Sequence, residues 1–202
     1  MKVENTVNCN FLLNLQLEVS KGNVNSFAKI YNFFYKKLIG FSTNFVKSKE
    51  LAEEVVEDVF IKLWCNREHL ADVKNITVYL YCATKNKSLN ALSKEAKSLI
   101  TESLNDSYYQ SYNHNHNPHD LMVSAEVMQA LSIAIERLPE RCKIIFKLVR
   151  EDGLRYKEVA QILSISVNTI DSQMAIAVKR LCSELQVEKD KRPESLLPQK
   201  FF

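Results

Sequence analysis

Apolar residues return every three or four positions through most of this chain, and very little interrupts them. Among its 202 residues there are only three glycines and four prolines. Repeats of that period and so few breakers predict an all-α protein with polar connectors. The length allows one large domain or two small ones. A polar stretch favours two. Between 98 and 121 the period disappears, and the run SYYQSYNHNHNPH is low in aliphatics and carries Pro118. It reads as a flexible linker. The expected plan is an extension at 1–23 with a short helix, a helical domain at 24–97, the linker at 98–121, a second helical domain at 122–186 and a disordered tail at 187–202.

Within the first domain, Phe27, Ile30, Tyr31, Phe34, Leu38, Phe41 and Phe45 form one aromatic-rich stripe from Val24 to about Val46. Such a stripe is core-facing. After Ser48, a suitable N-cap, Leu51, Ala52, Val55, Val56, Val59, Phe60 and Leu63 make the apolar face of a second helix. Its opposite side carries Glu50, Glu53, Glu54, Glu57 and Asp58. Carboxylates stacked on one strip repel each other, which suits either a solvated face or a docking surface for a basic partner. The segment Lys74 to Lys97 reverses the sign. Lys74, Lys85, Lys87, Lys94 and Lys97 are countered only by Glu95, and Asn75, Tyr79, Tyr81, Asn86 and Asn90 are interleaved. Cations with aromatics and amides suit single-stranded nucleic acid.

In the second domain, Val127, Ala130, Leu131, Ala134, Ile135 and Leu138 mark a helix stopped by Pro139. Ile144, Ile145, Leu148 and Val149 are expected to be the buried face of the next, which ends at Gly153. The stretch YKEVAQILSISVNTIDSQMAIAVKRL, Tyr156 to Leu181, then reads as a helix-turn-helix. Val159, Ala160 and Leu163 face inward on its first helix, and Ala160 is small enough for close approach. Ser166 caps the second, where Ile170, Met174, Ala177, Val178 and Leu181 face inward and Asn168, Thr169, Asp171, Ser172 and Gln173 face out. Such a motif presents the start of its second helix to the major groove.

Other classes are poorly supported. A net charge of +3 sets up no global basic field, so nucleic-acid contact must be local. Cys9, Cys65, Cys82, Cys142 and Cys182 are scattered, odd in number and form no CxxC pair, so neither a disulfide framework nor a zinc ribbon is expected. His114, His116 and His119 have no Cys or carboxylate at ligand spacing, so no metal or other cofactor is expected. The N-terminus is too polar for a signal peptide, and no run reaches the ~20 apolar residues of a membrane span. No nucleophile–base pair or phosphate loop is present, so no enzyme is expected. A cytoplasmic protein with no membrane insertion is the expectation.

Three segments in order carry a family resemblance. AEEVVEDVFIKLW (Ala52–Trp64) resembles the region 2.2 helix of the extracytoplasmic-function (ECF) sigma factors of bacterial RNA polymerase. YLYCATKNKSLNALSK (Tyr79–Lys94) is similar to their −10 recognition segment, and its KNKSLN form looks most like versions common in Bacteroidetes. ALSIAIERLPERCKIIFKLVREDGLRYKEVAQILSISVNTI (Ala130–Ile170) resembles region 4. The resemblance covers roughly 24–186. It implies a non-enzymatic subunit that binds core RNA polymerase, directs it to promoter DNA and helps open the duplex, with an anti-sigma factor as a further partner. Glu53, Glu54, Asp58 and Trp64 match positions that dock on polymerase. Asn75, Tyr79, Lys85, Asn86, Lys87 and Asn90 match the segment that captures the −10 non-template strand. Asn168, Thr169, Ser172, Gln173, Lys179 and Arg180 match the −35 reading helix. A stand-alone helix-turn-helix regulator is the alternative, but it has no use for the acidic helix or the Lys/Tyr/Asn segment.

The chain departs from the family pattern at four places. Ser164 replaces the usual turn glycine, which would cost on the order of 1 kcal/mol if that position needs positive φ. Asp171 stands where a basic residue is common, Met174-Ala175-Ile176 lacks basic side chains, and Ser93 replaces a frequent arginine. An acid facing phosphates weakens binding, so −35 contact is expected to lean on polymerase tethering.

Overall fold

The computed structural model describes residues 2–101 and 122–185, with side chains described at 11–94 and 128–185. Every regular element among them is helical. By their contacts the described residues fall into two compact units, 2–101 with 157–164, and 122–156 with 165–185.

The first unit opens with α1, Lys2–Ser20, a full-length helix where only a short one was expected. Leu15, Gln16 and Val19 are buried on it. Gly22, at φ 87°, turns the chain in a conformation that costs an L side chain strain. Asn23 then caps α2, Val24–Val46, by accepting a hydrogen bond from Ser26 N at 3.2 Å. Of the expected stripe Ile30, Phe34, Leu38 and Phe41 are buried, while Phe27, Tyr31 and Phe45 are half-buried. Truncating one such residue, Phe34→Ala, would cost about 3–5 kcal/mol.

Lys47 takes the left-handed conformation at φ 58° and ends α2, and Ser48 Oγ caps α3, Lys49–Cys65, by accepting from Leu51 N. On α3 the apolar face holds as expected, except that Leu51 is only half-buried. A 3-10 helix, Arg67–Asp72, leads to α4, Ile76–Thr101, which continues past the boundary expected at residue 97. Both α3 and α4 pack on α2. Between α2 and α4 a buried Ser42–Ser88 hydroxyl pair at 2.9 Å satisfies two polar groups while small side chains permit close approach.

In the second unit, α5 (Met122–Glu136) and α6 (Glu140–Arg150) pack on α8 (Val167–Glu184). The buried face of α6 is Cys142, Ile145, Phe146 and Leu148, whereas Ile144 and Val149 are half-buried. The helix is thus rotated from expectation, because Cys142 and Phe146 share the inner stripe with Ile145. Ala130 of α5, also expected inside, is exposed. Gly153, at φ 73°, lets Leu154 N return to Leu148 O at 3.0 Å and close the end of α6. From Lys157 on, α7 (Tyr156–Leu163) groups with the first unit, and its buried residues are Val159, Ala160 and Ile162, with Leu163 half-buried. The linker histidines and the tail lie outside the described residues.

Candidate functional site

The acidic strip of α3 stands as the spacing predicts. Glu50, Glu54 and Glu57 are exposed, and Glu53 and Asp58 are half-exposed. Its own backbone N–H and the Ser48 hydroxyl hold the Glu50 carboxyl below its ordinary range. Lys49 meets Glu53 at 3.6 Å one turn on. Beside the strip, Tyr31 and Tyr35 stack at 4.7 Å. Burial, the Tyr31 hydroxyl and then Glu57 and Glu53 push the Tyr35 phenol up to about 12. Trp64 is only half-exposed, with its ring 5.0 Å from Phe27 and the Arg67 guanidinium 4.9 Å away over it. Sequence pattern did not reveal that clamp.

On α4 the candidate strand-binding residues divide. Tyr79, Asn86 and Asn90 are exposed and recur at seven- and four-residue steps, so they share one face. Tyr81, interleaved with them in sequence, is instead core, 1% exposed with its ring 5.1 Å from Phe41. Asn75 caps α4, accepting from Val78 N at 3.1 Å, and its amide donates to Glu158 Oε1 of the same unit at 2.9 Å. Lys85 Nζ donates to Ser164 Oγ at 3.1 Å. Lys87 Nζ lies 2.5 Å from Asp58 Oδ2, an ion pair joining the basic helix to the acidic one.

On α8, Ser166 Oγ accepts from Thr169 N at 3.1 Å and pairs with the Thr169 hydroxyl at 2.8 Å, so Thr169 serves the cap. Asn168, Asp171, Ser172, Ala175, Ile176 and Lys179 are exposed along the outer face. Gln173, expected to face out, is half-buried, and its Oε1 accepts from Cys142 Sγ of α6 at 2.9 Å. Arg180, though exposed, borders a hollow of about 130 Å³ shared with Ala134, Arg137 and Leu138 of the α5 segment. The turn residue Ser164 has φ 57°, so the position does need the left-handed conformation. Burial and the neighbouring Asp171 carboxylate raise the Tyr156 phenol, partly offset by Arg150.

What this arrangement supplies is an acidic helix against a basic, amide-bearing one, and a separate helix whose outer face is polar apart from Ala175 and Ile176. Residues 30–98 match the family Sigma-70 region 2, and residues 128–181 match Sigma-70, region 4. The chain belongs to the sigma-70 family of RNA polymerase sigma factors, in its ECF group. This sigma factor is 25% identical to the ECF RNA polymerase sigma-E factor of Escherichia coli K12 over 174 residues, 83% of this chain and 91% of that protein. It is 24% identical to the ECF RNA polymerase sigma factor SigW of Bacillus subtilis over 164 residues, 78% of this chain and 87% of the relative. Its fold is similar to that of the sigma factor RpoE of Bartonella quintana, solved with the anti-sigma factor NepR. The TM-score is 0.61 at 20% identity, covering 81% of this chain and 98% of that one. CnrH, solved with the cytosolic domain of CnrY, gives a TM-score of 0.55 at 15% identity, covering 89% of this chain and 99% of that one. Among the described residues no helix is long and apolar enough to cross a membrane.

Proposed function

We propose that this sigma factor is a cytoplasmic, non-enzymatic promoter-specificity subunit that needs no cofactor. It docks on core RNA polymerase through Glu53, Glu54, Asp58 and the Phe27–Trp64–Arg67 corner. It holds the −10 non-template strand with Tyr79, Asn86 and Asn90, supported by Asn75, Lys85 and Lys87. It reads the −35 duplex with Asn168, Ser172 and Lys179, while Thr169, Gln173 and Arg180 set the pose of the reading helix. An anti-sigma factor is a further partner, in keeping with the complex solved for the RpoE of Bartonella quintana.

The observation that carries this reading is the ion pair between Asp58 and Lys87, where an acidic helix face meets a basic one. Two surfaces of opposite sign on one small unit fit two partners of opposite sign, a basic polymerase surface and a DNA strand. A stand-alone regulator would leave the acidic face unemployed. Tethering by polymerase raises the effective concentration of both DNA contacts, so neither must bind tightly alone.

Run-off transcription with bacterial core polymerase tests the proposal. A promoter-dependent transcript should appear only when this protein is added. Failure to bind core, with no transcript from any promoter in a randomised library, would end it.

A further inference from the structure

Gln16 of α1 lies outside both matched family regions, yet it is among the most buried side chains of the first unit, at 1% exposure. Its Nε2 donates to the carbonyl of Leu70 at 2.6 Å and to that of Val73 at 2.5 Å. Both amide hydrogens are therefore committed to the chain leaving the 3-10 helix. Leu70 O also accepts from Val73 N at 3.1 Å, which tightens the same turn. Beyond the clamp stands Asn75, whose side chain accepts from Val78 N and whose carbonyl accepts from Tyr79 N, opening α4. Leu70 and Ile76 are buried anchors on either side, while Ala71, Asp72 and Lys74 point to solvent.

The path from residue 70 to 75 is thus fixed at one end by an amide from α1 and at the other by a helix cap. Apolar packing of α1 is already supplied by Leu15 and Val19. A core position needs only shape, whereas two directional hydrogen bonds to carbonyls three residues apart specify a backbone course. What that course sets is the placement of Lys74 and Asn75 and the start of the α4 face that carries Tyr79.

We propose that Gln16 is a positioning residue for −10 recognition, aligning the 70–75 segment so that Lys74, Asn75 and Tyr79 meet the unpaired strand together. The inference rests on the reading of α4 as the −10 surface. It makes the N-terminal helix part of the promoter-reading apparatus without touching DNA.

The test uses the full chain with core polymerase and a panel of promoters carrying single-base changes in the −10 element. Gln16→Leu keeps the bulk but removes both donors. It is expected to bind polymerase as the parent does, while its preference for the best −10 base over the others narrows about fivefold. Val19→Ala is the control for general weakening of α1. It should lower the melting temperature yet leave −10 preference unchanged. Gln16→Asn retains the amide on a shorter stem and should narrow the preference less; it replaces the leucine variant if that one does not fold. Unchanged preference in the folded Gln16 variant, or equal narrowing in Val19→Ala, would overturn the proposal. If the parent itself shows no −10 preference, the underlying reading of α4 fails as well, which is a separate and recognisable result.

Discussion

The two helices assigned to DNA are prepared in opposite ways. On α4, Asn75, Lys85 and Lys87 already hold partners within the protein, namely Val78 and Glu158, Ser164, and Asp58. On α8, Asn168 and Lys179 stand exposed along a face whose framework contacts are made by other residues, Thr169 at the cap and Gln173 toward α6. A strand-binding helix must exchange internal bonds for contacts with nucleic acid, whereas a duplex-reading helix keeps its outer side clear. The difference teaches that polar residues on a helix divide between framework and recognition, and that exposure alone does not sort them.

The largest expected effect lies at the point where α4 shares a charge with α3. Glu54→Lys combined with Asp58→Lys should weaken polymerase binding by about 3 kcal/mol, roughly a hundredfold. The circular dichroism spectrum should stay helical. Normal binding in a fluorescence assay would mean that the acidic strip is only a solvated face.

On α8 the comparison predicts a split between neighbours. Asn168→Ala should cost about 1–3 kcal/mol of discrimination at one −35 base pair. Gln173→Ala should instead lower folding stability by about 1 kcal/mol, through the lost acceptor for Cys142. If promoter competition shows Gln173 to be the stronger determinant, the division into framework and reading residues is wrong there.

Smaller effects concern the turn and the ion pairs. Ser164→Gly relieves the left-handed strain and should raise stability by about 0.5–1 kcal/mol in thermal melts, even though Lys85 loses its acceptor. A drop would show that the hydroxyl matters more than the backbone. In the second unit Glu136 meets Lys147 at 2.6 Å and Lys143 at 3.1 Å. Burial works against its carboxylate, but the two ammonium groups win and hold its titration below the ordinary range. A depressed folded value means that the contribution is present above the unfolded pKa and disappears as pH falls through the folded one. Glu136→Gln should therefore cost about 0.5 kcal/mol at neutral pH and nothing in acid, read from melting curves at both. A loss that persists in acid would point to packing instead.

Much of this fold is legible in sequence because helical period reports burial directly. The stripes from Ile30 to Phe41 and from Ala52 to Leu63 are core as expected, and the caps at Ser48 and Ser166 form. What periodicity misses is where polar side chains find partners far away in sequence. Gln16 reads as a polar interruption of a weak pattern, since the carbonyls it meets lie 54 and 57 residues on. Tyr81 reads like Tyr79 until the helix is seen to turn one ring toward Phe41 and leave the other at the surface. Gln173 faces out by spacing alone, yet an amide long enough to curl back reaches Cys142. The acidic and basic helices could be recognised separately by composition, but not the Asp58–Lys87 contact that joins them.

The N-terminal helix also bears on where this domain begins. The match to Sigma-70 region 2 starts at residue 30, but Leu15, Gln16 and Val19 are already inside the core. A fragment cut where that match begins would expose the sides of α2 and the 3-10 helix that α1 covers, inviting aggregation. Boundaries drawn from likeness to relatives mark where sequences stop agreeing, and a core can extend well past that point.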